Sequence, residues 1–310
     1  FNATAGCFTG AGCLGGTANL SNITTYSGAG WNITSTPTTS VLAPTASWFI
    51  FDGNTRPMLM AEWSNNIVTP HQVQLMATTL GATYTFDNDV MFASALNNAA
   101  DVWGTQSSIA SGNGFIPIGN ATNNFTGIVN GNGFTINDLY INQTTAGNTG
   151  LFGVINNASI QQLGVANANI TQSNCASGGG AIVGSMLGNS SLSEVYASGT
   201  INNIGNTGGL VGEMSDTSSI TNAYSLASVT ATTSGAAGGI VGNMLAGAPT
   251  INQVYATGAL SSVSAPGGIA GTLVAGAITN SYYDSDTTGV IVGVGTGVNA
   301  GTAGCFTGAA

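Results

Sequence analysis

The segment GGLVGEMSDTSSITNAYSLASV (208–229) recurs along the chain in variant form. Four other segments follow its pattern: TGLFGVINNASIQQLGVANANI (149–170), GAIVGSMLGNSSLSEVYASGTI (180–201), GGIVGNMLAGAPTINQVYATGAL (238–260) and GGIAGTLVAGAITNSYYDSDTTG (267–289). The last glycine of the opening motif recurs after 31, 28, 30 and 29 residues, at Gly153, Gly184, Gly212, Gly242 and Gly271. A tyrosine recurs near one phase, at Tyr196, Tyr224, Tyr255 and Tyr282. The chain is therefore built from repeats of one supersecondary unit.

Each repeat holds short β-type runs separated by Gly, Asn, Ser and Thr, and such runs are too short for helices. Three strands and their turns fit one repeat, which makes it one coil of a parallel β-solenoid whose coils stack on each other. The recurring tyrosines would then form a column along the core or the surface. A β-sandwich with regular turns is the alternative, and it is disfavoured because sandwich strands do not repeat in sequence. We therefore expect an all-β fold.

A short helix is predicted near 70–80. Thr69 can cap it, Pro70 suits its first position, and Gln72 completes a Thr-x-x-Gln capping box. Leu-Gly at 80–81 would end the helix. Its apolar face would consist of Val73, Leu75, Met76 and Leu80. Such a helix can cover the open end of a solenoid, where unpaired strand edges would otherwise promote aggregation.

The charge balance restricts the partners of the chain. Its 310 residues include one Lys or Arg and eleven Asp or Glu, for a formal net charge of −10. Binding to nucleic acid or to an anionic membrane needs many Lys and Arg side chains, so we expect neither partner. No apolar run reaches the roughly 18–20 residues that span a bilayer, so we expect no membrane insertion.

The motifs GGLVG and GGIVG resemble the GLUG repeat family, which occurs in large secreted bacterial surface proteins, including filamentous-haemagglutinin-like adhesins. The resemblance also includes segments at 69–90, 112–142 and 280–289, similar to the start, first coils and closing coil of a family module. The segment at 30–60 is similar to the tail that follows the closing coil. The resemblance implies a right-handed parallel β-helix, an extracellular or cell-surface location, and a role that is architectural and adhesive.

The octapeptide TAGCFTGA stands at 4–11 and again at 302–309, an offset of 298 residues. We interpret the chain as slightly more than one period of a tandem array. Residues 1–63 would be the tail of a preceding module with an inter-module linker, 64–289 a β-helix module, and 290–310 the start of the next repeat. Neighbouring copies, head to tail in one chain or fibre, are then the expected partners. A discrete subunit that joins its neighbours head to tail is the alternative.

The four cysteines are few and unevenly placed. Cys7 and Cys13 enclose a short glycine-rich loop and could close as a disulfide, which would fit an extracellular setting. Cys305 is the second copy of Cys7. Cys175 is either a small buried side chain, which we favour, or the partner of another module's cysteine.

Two carboxylate pairs are candidates for chemistry, Asp87/Asp89 and Asp284/Asp286. A glycosidase needs two carboxyl groups that face one bond, and each pair would lie on one strand face if its backbone were extended. Aspartates at turns more commonly accept backbone hydrogen bonds. Asp284 and Asp286 are also weak candidates for calcium, which usually needs six to eight oxygen ligands.

The single histidine and the single arginine are expected to be structural. We predict His71 to be exposed in the first helical turn, without the partners that a metal site needs. Arg56 is expected to bond local carbonyls or a carboxylate such as Asp52. We expect no catalytic residue and no cofactor.

The number of N-glycosylation sequons is about what chance predicts. Glycosylation of these asparagines is therefore possible, but the count does not favour it. They are Asn2, Asn19, Asn22, Asn32, Asn120, Asn124, Asn142, Asn157, Asn169 and Asn189.

Three functional hypotheses follow. The first is a non-enzymatic structural repeat module of a large secreted or cell-surface protein that forms an extracellular fibre. The second is an adhesin module that binds glycans or host or abiotic surfaces, as in a biofilm. The third is a carbohydrate-active β-helix enzyme.

Overall fold

The computed structural model describes residues 20–104, 112–174, 178–233, 235–264, 266–297 and 303–306. It confirms the parallel β-helix. Its helices are α1 (Ile23–Ser27), α2 (Pro70–Leu75), α3 (Ala93–Leu96) and α4 (Ser285–Thr288), with 3-10 turns at Met60–Glu62 and Met76–Thr78.

The strands before the regular coils are β1 (Ile33–Thr34), β2 (Trp48–Phe49), β3 (Met58–Leu59), β4 (Asn66–Ile67), β5 (Thr83–Phe86), β6 (Val90–Met91), β7 (Ile128–Asn130), β8 (Thr135–Asn137) and β9 (Tyr140–Gln143). The next coils contain β10 (Phe152–Asn156), β11 (Ser159–Gln161), β12 (Gly164–Gln172), β13 (Val183–Leu187), β14 (Ser191–Ser193), β15 (Tyr196–Asn203), β16 (Thr207–Gly208), β17 (Val211–Asp216), β18 (Ser219–Ser225) and β19 (Ser228–Ala231). The last strands are β20 (Ala237–Gly238), β21 (Val241–Gly247), β22 (Thr250–Ala256), β23 (Leu260–Ser262), β24 (Ala270–Leu273), β25 (Ala277–Thr279), β26 (Ser281–Asp284), β27 (Val294–Gly297) and β28 (Ala303–Phe306).

Four long parallel ladders run along the solenoid, and a shorter one pairs β16 with β20. The first consists of β10, β13, β17, β21, β24 and β27. The second connects β5, β7, β11, β14, β18, β22 and β25, and the third connects β6, β8, β12, β15, β18, β22, β26 and β28. The fourth connects β9, β12, β15, β19 and β23. The register places Val183 beside Val211 and Val211 beside Val241, so one sequence repeat is one coil.

The core is a set of stacked apolar columns that continue from coil to coil. Fully buried examples are Met186, Met214 and Met244 under the first ladder, and Ile160, Leu192, Ile220, Ile251 and Ile278 under the second. Each buried aliphatic side chain contributes about 1.5–3 kcal/mol relative to an exposed one. Equivalent residues of the repeats therefore pack on one another, which is why the same residue types recur.

Glycine recurs in the opening motif because the coils approach each other closely there. A Cβ atom added at Gly212 would lie closer than 3.0 Å to backbone atoms of Gly178, Gly179 and Gly184. Backbone atoms cannot rotate away as the end of a side chain can. The recurrent glycine is therefore a steric requirement of coil stacking.

The predicted helix is confirmed, although its α-helical part is shorter than 70–80. Thr69 Oγ1 accepts a hydrogen bond from the N–H of Gln72, and the Gln72 side chain accepts one from the N–H of Thr69. The α-helix ends at Leu75 and a 3-10 turn continues to Thr78. The four residues of the predicted apolar face are all buried.

The segment before α2 packs on the first coil and forms a cap, defined here as residues 20–63. Phe49, Met58 and Leu75 form a small apolar cluster that joins the cap to the helix. Thr38 pairs with Thr79 in a parallel bridge, so the cap lies one layer beyond the first coil. The cap therefore closes the end of the solenoid at which the helix was expected.

Candidate functional site

The recurring tyrosines form a column on the outer surface of the third ladder. Tyr196 pairs in register with Tyr224, Tyr224 with Tyr255, and Tyr255 with Tyr282. The ring centroids of Tyr196 and Tyr224 are 5.0 Å apart with an interplanar angle of 7°, and those of Tyr224 and Tyr255 are 4.9 Å apart at 5°. The ring spacing follows the spacing of neighbouring strands. These four residues are called the tyrosine column below.

Smaller residues complete the column on its N-terminal side. Gly164 pairs in register with Tyr196, and a Cβ atom at Gly164 would overlap the tyrosine ring. The Tyr196 hydroxyl lies 2.7 Å from Oγ1 of Thr135, one coil further away. The absence of a side chain at Gly164 thus lets the Tyr196 ring lie over that position and bond to Thr135.

A polar column runs beside the tyrosine column, at the corner between the second and third ladders. Its members are non-glycine residues with left-handed backbone conformation, Gln162, Glu194, Asn222, Gln253 and Asn280. The Gln162 side-chain amide donates to Glu194 Oε2 over 2.9 Å. Amides, which donate and accept hydrogen bonds, and one carboxylate, which accepts them, therefore repeat once per coil next to the tyrosines.

The stacking decides how the tyrosine column can bind a partner. Because Tyr196, Tyr224 and Tyr255 cover each other's faces, this part of the column presents mainly ring edges and hydroxyl groups. Burial, followed by the neighbouring tyrosines, raises the pKa of Tyr224, so its hydroxyl keeps its proton. The surface suits an extended polar ligand that lies along the solenoid axis.

A second group of side chains lies at the junction of the cap and α2. His71 Nδ1 lies 2.6 Å from Glu62 Oε2, and His71 Nε2 lies 2.7 Å from Asp101 Oδ1. The ring centroids of His71 and the buried Trp103 are 5.6 Å apart. The prediction that His71 is exposed is wrong, since its side chain is only 25% accessible. Glu62, His71 and Asp101 are called the histidine cluster below.

The two carboxylates favour the protonated imidazole. Burial by itself would lower the pKa of His71, but the hydrogen bonds and the charges of Asp101 and Glu62 outweigh it and raise that pKa above 6.5. A neutral imidazole has only one N–H to donate. The protonated ring can donate to both carboxylates and so holds Glu62 and Asp101 in position. Neither ring nitrogen is then free to act as a base.

Arg56, which lies in the cap, bonds to the 98–104 turn that contains Asp101. Its Nη1 donates to the carbonyl oxygens of Ala99 at 3.0 Å and Asp101 at 2.5 Å. The expectation of carbonyl partners is confirmed, although they lie more than 40 residues away in sequence rather than nearby. Asp52 instead accepts from the N–H of Ile23.

Neither carboxylate pair lies on one strand face, because neither segment is an extended strand over both aspartates. Asp87 and Asp89 follow the end of β5, and Asp89 Oδ1 accepts from the N–H of Thr135 at 2.8 Å. Asp284 caps α4, and its Oδ1 accepts from the N–H of Asp286 at 2.9 Å. In the described part of the chain, no group of three or more His, Cys, Asp and Glu residues is arranged to hold a metal ion.

The structure describes some of the predicted cysteine and sequon positions and not others. Cys7, Cys13, Cys175, Asn2 and Asn19 lie outside the described residues, so the disulfide stays a prediction. Cys305 lies on β28, in register with Tyr283. The exposed sequon asparagines are Asn22, Asn32, Asn120, Asn157, Asn169 and Asn189, and the partly buried ones are Asn124 and Asn142.

Two small clefts flank the Ile116–Pro117 segment. One, of about 130 Å³, lies against Phe49 and Leu80, and the other, of about 80 Å³, lies against Asn54 and Gln143. Both are smaller than the roughly 300–1,000 Å³ of pockets that enclose drug-sized ligands. Neither cleft is therefore large enough to enclose such a ligand.

Comparison with known proteins gives partial likenesses. The chain is 43% identical over 111 residues to halomucin of Haloquadratum walsbyi, which covers 35% of this chain and 1% of halomucin. It is 40% identical over 79 residues to a protein of Evansella cellulosilytica named "Putative Gly-rich membrane protein", which covers 25% of this chain and 9% of that protein. The chain thus spans only a small fraction of the relatives it matches. No family model matches the chain.

A solved structure shares the fold. It is that of a "putative immunoglobulin A1 protease" from Bacteroides ovatus, with a TM-score of 0.53 and 20% sequence identity, covering 78% of this chain and 81% of that chain. At this identity the likeness shows the fold alone.

This structure also corrects a prediction. The sequence led us to expect that the chain is not an enzyme, whereas a protein of the same fold carries the name of a protease. That finding contradicts the prediction, because the fold gives no ground for excluding an enzyme.

The chain has no helix, within the residues described, that is long and apolar enough to cross a bilayer.

Proposed function

We propose that the chain is a structural repeat module of a large surface or secreted protein, and that successive modules build an extracellular fibre. The observation that carries this proposal is β28, which holds residues 303–306 of the second octapeptide copy. β28 pairs in parallel with β26, the last strand of the closing coil, with Ser281 beside Ala303. In a tandem array, the start of the next sequence period would thus add a further strand to the solenoid.

Two further observations support the proposal. The partial match to halomucin, of which this chain covers 1%, agrees with a module of a very large protein and with a surface or secreted location. The GGLVG-type motifs support membership of the GLUG repeat family, whose proteins are secreted or at the cell surface. Neighbouring copies of the module are the proposed partners.

Electron microscopy of the native protein tests the fibre. We expect thin filaments with an axial repeat that corresponds to one period of 298 residues. Globular particles without an axial repeat would contradict the proposal.

A second candidate function is adhesion, and the tyrosine column favours it. Tyr255 and Tyr282 are each 44% exposed, and the polar corner column runs beside them. Such a surface supports binding to an extended glycan or to a solid surface. A glycan array with the intact chain tests it, with Tyr255→Ala as the binding variant and Ile128→Ala, which is 46% exposed on β7, as the matched control. Adhesion through this surface requires that Tyr255→Ala lose the binding and Ile128→Ala retain it.

A further inference from the structure

Among the residues that the structure describes, the strands at the C-terminal end of the solenoid have one unpaired backbone edge. Among the described residues, β27 pairs only with β24, and β28 pairs only with β26. The fourth ladder ends at β23 and the second at β25. The described part of this end has no cap comparable to residues 20–63 at the other end. Open edges of this kind favour pairing with another chain segment.

Exposed apolar side chains concentrate at the same end. Val263 follows β23, the last strand of the fourth ladder, and Val274, Ile291 and Val292 lie in the last coil or directly after it. Ile291 is 86% exposed. On the longer stretch from 128 to 255, the large exposed apolar side chains are Ile128, Leu226 and Tyr255. A concentration of exposed apolar side chains at one end is typical of an interaction site.

The cap has a corresponding set of apolar side chains. Val41 and Leu42 are 64% and 72% exposed. They follow Thr38, whose bridge to Thr79 places this part of the cap one layer beyond the first coil. Trp31 packs on Trp48 with ring centroids 4.8 Å apart and an interplanar angle of 40°, and it is itself exposed. The cap therefore also exposes large apolar side chains.

Sequence continuity identifies what covers the C-terminal end. By the offset of 298, Phe306 corresponds to Phe8, and the cap of a period begins 12 residues after Phe8. Twelve residues reach at most about 40 Å when extended. Because β28 already lies on the closing coil, the cap of the next period is held within that distance of the exposed apolar end.

We propose that the C-terminal end of one copy docks against the cap of the next copy. This inference rests on the proposed function and identifies its junction. The contact joins Val263, Val274, Ile291 and Val292 of one copy to Trp31, Val41 and Leu42 of the other. The module junction is then a packed interface that continues the solenoid axis, and the occupant of the open end is a second copy of this chain.

Sedimentation velocity on the 310-residue chain tests the docking, because this chain carries both ends. We expect concentration-dependent association that Ile291→Asp and Val41→Asp each weaken about tenfold or more, since each places a charge in the apolar contact. Leu226→Asp, on the side of the solenoid, is the matched control and leaves the association unchanged. All three side chains are exposed, so the substitutions do not disturb the core.

Two results would overturn the proposal: a chain that stays monomeric at all concentrations, or association that Leu226→Asp weakens while the two end variants do not. Either result leaves the fibre proposal open to its own test, because modules joined only through flexible linkers would still give filaments in micrographs. Conversely, end-to-end association of the chain together with globular native particles would support the docking and contradict the fibre.

Discussion

The Nε2 atom of His71 lies 2.7 Å from Oδ1 of Asp101, and this contact joins the first turn of α2 to a turn 30 residues further along the chain. Glu62, at the end of the cap, contacts the other ring nitrogen. One imidazole ring therefore connects the cap, the helix and the 98–104 turn, all of which close the N-terminal end of the solenoid.

Replacing His71 is expected to loosen this end. His71→Ala leaves the Asp101 carboxylate, which is only 16% accessible, without its charged partner. An unpaired buried polar group costs about 1–3 kcal/mol, and we expect a loss in the lower half of that range because Asp101 Oδ1 still accepts a hydrogen bond from the N–H of Val102. Urea denaturation measures the change in the free energy of unfolding. Glu62→Gln keeps a hydrogen-bond acceptor beside the ring and should cost less, and a larger loss in Glu62→Gln than in His71→Ala would contradict this account.

The raised pKa of His71 predicts a pH dependence of stability. Because the folded pKa lies above the usual 6.5, the cluster contributes its full stability below pH 6.5 and loses it as the pH rises through the folded value. Glu62 and Asp101 are the charged groups that face the ring, and Arg56 bonds the Asp101 carbonyl. We expect the free energy of unfolding to fall above pH 6.5 in the wild-type chain. In His71→Gln, which cannot be protonated, that part of the decline is absent; an equal decline in both chains would rule out the cluster as its cause.

Asp284 is expected to act as a helix cap rather than as a calcium ligand. Its Oδ1 accepts from the N–H of Asp286 at the start of α4. Removing an aspartate cap costs about 0.5–2 kcal/mol, whereas asparagine caps a helix about as well. Asp284→Ala should therefore lower the melting temperature, and Asp284→Asn should leave it nearly unchanged. A calcium-dependent rise in the melting temperature that Asp284→Asn abolishes would show a metal site instead.

The repeated features of the fold could be predicted from the sequence, because repetition acts through local rules. The glycine spacing gave the coil length, since Gly212 and its equivalents must meet the neighbouring coil. The capping box at Thr69 and Gln72 is a contact between residues three positions apart and can be read directly from the sequence. The tyrosine phase predicted a column, although not which face it occupies.

The histidine cluster could not be predicted, because its members share no period. Glu62 lies in a 3-10 turn and Asp101 in an irregular turn, so only the packed cap brings them to His71. Asp284 and Asp286 would share a strand face only if their backbone were extended, but Asp284 is the N-cap residue of α4, and the chain turns into that helix there. Both outcomes depend on irregular backbone, to which strand periodicity does not apply.

The tyrosine column is expected to stabilise the stack of coils. Tyr224 stacks on both Tyr196 and Tyr255, and each aromatic pair contributes about 0.5–1.5 kcal/mol beyond the area it buries. Tyr224→Ala should therefore lower the free energy of unfolding by about 1–3 kcal/mol. Tyr224→Phe keeps both stacks and should have little effect. Equal losses in the two variants would attribute the effect to the hydroxyl rather than to the stacking.

Gly212→Ala is expected to disrupt the stacking of two coils. The added methyl group would lie closer than 3.0 Å to backbone atoms of Gly178, Gly179 and Gly184, so relief requires the coils to separate. Forcing an extra carbon into a packed interior costs about 1–3 kcal/mol. The upper end applies here, because the crowding atoms belong to the backbone. Chemical denaturation followed by circular dichroism measures the loss.

Gly147→Ala is the matched control for Gly212→Ala. An added methyl group at Gly147 meets only the end of the Gln143 side chain, at 2.7 Å from Nε2. A flexible side chain can rotate away, so this variant should change the free energy of unfolding by less than about 0.5 kcal/mol. If Gly212→Ala were equally mild, close backbone approach could not be the reason that glycine recurs once per coil, and the motif would need another explanation.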